Sequence, residues 1–203
     1  MFLVIYLQPC CKYITRNKLM NLIKRALTPL SLLLTLLLIQ CKDSGNQLTP
    51  NQENELITSV TLHFKPVGSD SVLSFYYKDP DGDGGNAPIR FDTIRLKVNE
   101  KYAITAEFFD ESKTPAIDIT QDIRQNANDH LLVFTASPAS LLSYQYGDQD
   151  GNHYPIGLIG TVSSGVAGLG KLKVQLRHQP NQKDGTPAPG SDDVNLDFNI
   201  KVQ

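Results

Sequence analysis

The sequence has no tryptophan, and its three cysteines, Cys10, Cys11 and Cys41, all lie in the first 41 of 203 residues. The rest of the chain therefore has no thiol for a disulfide or for nucleophilic catalysis. Apolar runs are also short. The longest, Leu30–Ile39, is half of the roughly 20 residues that a transmembrane helix needs. These absences exclude a disulfide-stapled domain and disfavour a helical membrane protein.

Positive charge is scarce after residue 40. Residues 41–203 hold 14 basic and 21 acidic side chains, a net charge of −7, whereas residues 1–40 hold five basic and no acidic ones. Nucleic-acid binding depends on Lys and Arg neutralising phosphates, so a nucleic-acid partner is not expected. With 40% hydrophobic residues, the chain is also too apolar for wholesale disorder.

Residues 1–40 are predicted to be a targeting region. Lys24 and Arg25 precede the apolar run Leu30–Ile39, which is the layout of a secretory signal peptide. Residues 1–19 precede this basic region, whereas a signal peptide normally begins close to its basic region. We therefore expect translation to start at Met20, with the signal at residues 20–40.

The end of this region resembles a bacterial lipobox. Leu38 and Cys41 match the pattern, whereas Ile39 and Gln40 depart from it. Acylation of Cys41, for example by palmitate, would leave no free thiol in the exported chain, and two acyl chains suffice for stable anchoring. Lys42-Asp43 resembles a shortened surface-export signal. We expect a lipid-anchored outer-membrane protein at the cell surface, with the periplasmic face as the alternative.

The mature chain divides into a flexible polar tether, residues 41–54, and a domain, residues 55–203. Period-two alternation of apolar and polar residues recurs through the domain between Gly-, Pro- and Asp-rich turns. This pattern predicts an all-β fold, a single antiparallel β-sandwich of about eight or nine strands. The predicted strands are residues 57–64, 72–77, 91–98, 102–109, 131–136, 141–146, 169–177 and 194–202.

Two segments depart from this alternation. Ile119, Ile123 and Ala127 recur every four residues, and Asp118 can cap them, which predicts a short helix near 119–129. Residues 178–193 are rich in Pro and Gly and form a long connection, for which we expect disorder.

Several stretches resemble a family of small Bacteroidota outer-membrane lipoproteins: DPDGDGGNAP (79–88), FFDES (108–112), DITQDI (118–123) and LRHQP with KDG (176–185). The resemblance implies association with TonB-dependent receptors. Members often carry the label of a type 1 periplasmic binding fold. That fold is a two-lobed α/β structure, and this chain lacks the repeated strand–helix alternation it requires.

Two acidic turns are candidate calcium loops. Asp79, Asp81 and Asp83 alternate with residues that allow a tight turn, like the front half of an EF-hand loop. Arg90 stands where the EF-hand has its bidentate Glu. The second candidate comprises Asp148, Asp150 and Asn152. The alternative is that both are plain turns.

Other side chains give weaker indications. The four histidines, His63, His130, His153 and His178, show no metal-binding spacing, so we expect solvated or singly hydrogen-bonded rings. No G-x-S-x-G motif occurs, and Ser163-Ser164-Gly165 reads as a flexible turn. Tyr144, Tyr146 and Tyr154 could form a stacking platform for a sugar, although tyrosines of a core or rim are the alternative.

These features favour a non-catalytic binding or accessory module beside a TonB-dependent transporter. An adhesin or envelope-structural lipoprotein is the alternative. A third interpretation is a lipoprotein that captures haem or metal, for instance through His130 and His178.

Overall fold

The computed structural model describes residues 55–82 and 85–203. The predicted signal region and tether, with Cys41, lie outside the described residues, and so does Asp83. The described part forms two β-sheets, one α-helix and two single 3₁₀ turns, with both short turns and longer connections between the strands.

Eleven strands make up the two sheets. They are β1 Ser59–Pro66, β2 Leu73–Lys78, β3 Arg90–Phe91, β4 Ile94–Leu96, β5 Lys101–Asp110, β6 Ile117–Asp118, β7 His130–Ser137, β8 Leu142–Tyr146, β9 Ile159–Ser164, β10 Gly168–His178 and β11 Ser191–Val202. The first sheet has the order β3-β2-β1-β5-β9-β8, with β6 paired to β5. The second has the order β4-β11-β10-β7. All pairs are antiparallel except β4 with β11.

The hydrophobic core lies between the sheets. Alternate residues point inward because successive side chains of a strand face opposite ways. On β5, for example, Tyr102, Ile104 and Phe108 are buried. Aromatic rings meet edge to face in this layer: the Phe64 ring centroid lies 6.0 Å from that of Tyr102. This arrangement confirms the predicted all-β sandwich.

The helix α1 spans Ile119–Gln125, and a 3₁₀ turn, Ala127–Asp129, follows it. The side chain of Asp118 accepts a hydrogen bond from the N–H of Thr120, which caps the first turn as predicted. The buried Ile119 and Ile123 anchor the helix in the core.

More strands form than the alternation predicted. β3 and β6 have two residues each, which is too short for a period to show. β9 has the sequence IGTVSS, and the prediction of a flexible turn at 163–165 rests on its last two residues together with Gly165, which follows the strand. That prediction is wrong for Ser163 and Ser164, which lie in β9. Buried Ser164 donates a hydrogen bond to the Lys97 carbonyl.

The long connection of residues 179–190 is tied down rather than disordered. The ammonium of Lys183 lies 2.8 Å from a carboxylate oxygen of Asp150 and donates to the carbonyl of Ala127. Only 2% of the Lys183 side chain is exposed. Gly190 closes the connection at a φ of 82°, where a Cβ would lie 2.0 Å from the carbonyl oxygen of His178. The expectation of disorder is therefore wrong.

The Lys183–Asp150 pair should be essential for stability. Lys183→Met would leave the Asp150 carboxylate buried without its ammonium partner. Breaking a buried ion pair on one side costs about 3–5 kcal/mol. We expect a loss of that size in the free energy of unfolding, measured by urea denaturation.

Lys173→Met is the matched control. The Lys173 ammonium pairs with Asp197 at the surface, 3.2 Å away, with both side chains well exposed. Surface pairs contribute about 0–1 kcal/mol, so the control should change stability little. Equal losses for the two variants would contradict a special role for the buried pair.

Candidate functional site

A cleft opens between the two sheets at the end where the chain enters β1. Its volume is about 430 Å³, within the range of small-molecule sites. The walls combine apolar side chains with three carboxylates. The lining residues are Glu55, Leu56, Ile57, Val60, Tyr77, Gly82, Asp192, Asp193, Val194, Asn195 and Leu196.

Asp193 is the most unusual group in the cleft. Its side chain is 0% exposed, and neither of its oxygens accepts a hydrogen bond of good geometry among the described residues. Two imidazole nitrogens lie near it, Nε2 of His130 at 3.7 Å and Nδ1 of His178 at 3.9 Å. Burial, followed by the negative charges of Glu55 and Asp192, raises the pKa of Asp193 to about 7; the positive charge of Arg177 and then the backbone N–H of Glu55 oppose this shift without cancelling it.

The two histidines beside Asp193 stack on each other. Their ring centroids lie 5.0 Å apart with an angle of 6° between the planes. Both rings are buried, so neither is solvated, whereas His130 is singly hydrogen-bonded, which is the other half of the expectation. Burial lowers the pKa of His130. Nδ1 of His130 lies 3.0 Å from the carbonyl oxygen of Asn126, which can only accept, so Nδ1 carries the proton and Nε2 faces Asp193 as a lone pair.

The stacking also limits what this pair can bind. A metal ion lies close to the plane of the imidazole that coordinates it. Two parallel rings, one above the other, do not direct their lone pairs at one ion between them. His130 and His178 are therefore close together, as haem capture would require. Their rings, however, are not oriented to bind one shared iron or zinc ion.

Glu55 adds a second protonatable carboxyl to the cleft. Burial, followed by the charge of Asp122, raises its pKa to about 7. Its Oε2 is buried and has no hydrogen-bond partner among the described residues. Near neutral pH the cleft therefore holds two carboxyl groups, those of Glu55 and Asp193, whose ionised forms lack solvation. A positively charged ligand would supply what water supplies elsewhere.

The first predicted calcium loop borders this cleft at Gly82. Asp79 is buried; one of its oxygens accepts from the Tyr77 hydroxyl, and the other has no partner among the described residues. Asp81 accepts from the side-chain amide of Asn86. The hydrogen bond from the Asn86 side chain is the main cause that lowers the pKa of Asp81, and the Asp79 carboxyl lies close enough to influence it as well.

In the second predicted loop, the carboxylates are bound by other groups of the protein. Asp148 accepts from the N–H groups of Gly157 and Ile159. Asp150 binds Lys183 and accepts from the N–H groups of Asn152 and Tyr154. Burial favours a higher pKa for Asp150, but the ammonium and these N–H groups hold it below its usual value. Asn152 contributes its backbone N–H to this turn. The described residues contain no group of three or more His, Cys, Asp or Glu placed to hold a metal.

The three tyrosines do not form one platform. Tyr144 packs against Phe134, with ring centroids 4.6 Å apart, and its hydroxyl donates to the carbonyl of Gly157. Tyr146 meets the edge of Tyr144 at 4.9 Å and is partly exposed. Tyr154 lies across the turn, where its ring covers Gly185. Tyr144 is thus a packing residue, and only the other two present ring surface to solvent.

A serine, a histidine and a glutamate meet on the outer face of the first sheet. Nδ1 of His63 lies 2.7 Å from Oγ of Ser74, and Nε2 lies 3.4 Å from a carboxylate oxygen of Glu107. A serine nucleophile also needs N–H donors for the oxyanion that forms on the substrate. β1 and β5 are paired on both sides, so their N–H groups are engaged in the sheet. The trio is a cross-strand polar contact, and the absence of catalysis stays a prediction.

No family model, curated protein or solved structure matches this chain. Among the described residues, no helix is long and apolar enough to cross a membrane. The resemblance to Bacteroidota lipoproteins therefore stays a prediction from the quoted sequence stretches.

Sequence reasoning missed Glu55, Asp193 and Lys183. Glu55 and Asp193 lie at the ends of predicted strands, where acidic residues are normally solvated, and Lys183 lies in a connection expected to be disordered. Their burial depends on contacts across more than 50 residues of chain, as with Lys183 and Ala127. One signal was present: His178 and Asp193 bracket the long connection, so its closure had to bring them together.

The raised pKa of Asp193 makes stability depend on pH. Between about pH 4 and 7 the folded protein retains a proton that the unfolded chain has lost, so this contribution is full below the unfolded pKa and falls as pH rises through 7. His130 contributes in the opposite direction, because its pKa is lowered. Asp193→Asn should therefore raise the free energy of unfolding at pH 8 by on the order of 1–2 kcal/mol.

The measurement is urea denaturation of the wild type and the variant at pH 5 and pH 8. Asp197→Asn, an exposed change on the same strand, is the control and should leave the pH profile unchanged. A loss of stability in Asp193→Asn at pH 8 would show instead that the ionised carboxylate stabilises the fold.

Proposed function

We propose that the protein is an acylated outer-membrane lipoprotein whose domain serves as a non-catalytic binding or accessory module beside a TonB-dependent transporter. The lipobox-like residues around Cys41 and the resemblance to Bacteroidota lipoproteins support the anchor and the partner. The observation that carries the binding role is the acidic cleft, where the Asp193 carboxylate is buried without a well-placed hydrogen-bond donor among the described residues.

The cleft favours a small ligand that carries positive charge. Its carboxyl groups, Glu55 and Asp193, lie among apolar walls formed by Leu56, Ile57 and Leu196. Such a mixture suits an organic cation with an apolar body, because the charge meets the carboxylates and the rest is removed from water. Binding would release protons near pH 7, since a cation and a proton compete for the same oxygens.

The anchor can be tested at Cys41. Cys41→Ala should abolish labelling by a fatty-acid analogue and move the protein from the membrane fraction to the soluble fraction. Ser44→Ala, three residues beyond Cys41, is the control and should keep both label and location. Labelling that persists in Cys41→Ala would overturn the anchor. Digestion by external protease on intact cells distinguishes the cell surface from the periplasmic face.

The accessory role is tested by the same strains. Affinity purification of the wild type from native membranes should retain a TonB-dependent receptor, and the Cys41→Ala protein should retain much less. Binding to whole cells or matrix without a receptor would favour an adhesin. A Soret band on haem titration would favour haem capture, against the geometry of the histidine pair.

Calcium binding at the 79–86 loop is part of the proposal. A divalent cation would offset the repulsion between Asp79 and Asp81 and would give the buried Asp79 oxygen a partner. A ligand bound only by the folded state at a hundredfold excess over Kd stabilises it by about 2.7 kcal/mol. Millimolar calcium should therefore raise the melting temperature by several degrees.

Asp81→Asn should reduce this response, because the central carboxylate is expected to coordinate directly. Asp70→Asn, in an exposed turn between β1 and β2, is the control and should leave it intact. Identical melting curves in calcium and in chelator would mean that the loop is a plain acidic turn.

A further inference from the structure

The turns opposite the cleft share one end of the sandwich, which we call the hairpin end. It comprises residues 65–73, 95–101, 165–171 and 201–203. The strand register brings these segments together: Pro66 pairs with Tyr102, Lys101 with Ser163 and Gly168 with Val202. The tether joins the domain at Glu55, at the other end.

Aliphatic side chains project from this end into solvent. Val67 is 65% exposed, Val72 50%, Val166 60% and Leu169 73%. Three of them lie on two turns, between β1 and β2 and between β9 and β10, and Leu169 lies at the start of β10. Exposed apolar side chains grouped at loop tips indicate a contact with another apolar phase.

The hairpin end is also the basic part of an acidic domain. It carries six exposed basic residues and two acidic ones, a net charge of +4. The remainder of the described residues carries seven basic and 16 acidic side chains, a net charge of −9. The six basic residues are Lys65, Arg95, Lys97, Lys101, Lys171 and Lys201.

Neighbouring strands place charge directly beside the apolar tips. Leu169 of β10 pairs with Lys201 of β11, which pairs with Arg95 of β4. All three side chains point away from the core, because Ile94, Leu96 and Val202 take the inward positions. An aliphatic side chain flanked by cations matches a partner whose outer layer is anionic and whose inner layer is apolar.

We infer that the hairpin end is a membrane-binding surface for anionic phospholipid. Interfacial binding increases with apolar area inserted and with attraction to anionic headgroups. Each Lys or Arg near such a surface contributes a roughly fivefold gain in affinity. The aliphatic tips would enter the headgroup layer, and the lysines would lie at the phosphates.

The position of the tether allows this contact on the same bilayer as the anchor. β11 has 12 residues and spans about 40 Å, close to the length of the domain. The 14 residues 41–54 can extend to about 46–50 Å. The chain is thus long enough for the domain to turn its far end to the membrane. The inference goes beyond the proposed function and does not depend on the anchor.

Vesicle co-sedimentation tests this surface directly. Both sheets and the core between them lie within residues 55–203, so the segment 42–203, which lacks Cys41, should fold alone; its melting curve checks this. It should sediment with vesicles containing phosphatidylglycerol and much less with pure phosphatidylcholine, and added salt should weaken the binding. The triple variant Val67→Ser, Val166→Ser, Leu169→Ser should bind about tenfold more weakly.

Two further variants complete the design. Lys65→Gln with Lys101→Gln should weaken binding to the anionic vesicles by roughly 25-fold. Ile89→Ser with Ile117→Ser changes two exposed isoleucines at the tether end and should leave binding unchanged. Because all these positions are exposed, the variants should keep the wild-type melting temperature.

Equal binding to both vesicle types, or equal loss in the tether-end variant, would overturn the inference. Retention on immobilised polyglutamate without vesicle binding would also overturn it, in favour of an acidic protein partner. Because the segment carries no acylation site, these outcomes are independent of the Cys41→Ala result.

Discussion

The register of the strands is the constraint on which the rest of this structure depends. A shift of one residue in any strand would turn its core side chains to solvent, so burial of residues such as Phe108 and Phe198 permits one pairing only. That pairing decides which turns share an end. It brings the aliphatic tips and lysines together at one end, and the carboxylates at the other. Aliphatic, basic and acidic side chains that are scattered in the sequence are therefore separated between the two ends of the sandwich, because the core allows no other alignment.

The buried carboxylates of Asp150 and Asp193 differ in how the cost of their desolvation is offset. Asp150 is matched by the Lys183 ammonium and by backbone N–H groups, so it stays ionised and holds the long connection against the sandwich. Asp193 has two imidazoles nearby, but at distances too long for hydrogen bonds. The first arrangement is structural. In the second, the cost of burying the carboxyl group is not offset by hydrogen bonds among the described residues.

The sequence predicted the architecture better than the site. Alternation in residues 102–109 and 194–202 identified long strands, and the capped helix after Asp118 was confirmed. The two-residue strands could not be predicted from the sequence, because they form by pairing with a neighbouring strand and are too short to show a local pattern. The cleft was missed for the same reason: Glu55 and Asp193 are 138 residues apart, and their surroundings come from packing. The ordering of residues 179–190 follows from one lysine whose acceptors lie on other elements, and composition does not contain that information.

The place of β11 in the second sheet has a consequence for the order in which the two sheets can form. This strand, the last in the sequence, lies between β4 and β10, so the second sheet stays divided until it arrives. Its partner β4 lies more than 100 residues earlier, and such long-range closure is slow. The second sheet, and the core that it covers, is therefore completed by one strand that must find both neighbours, β4 and β10, at the same time.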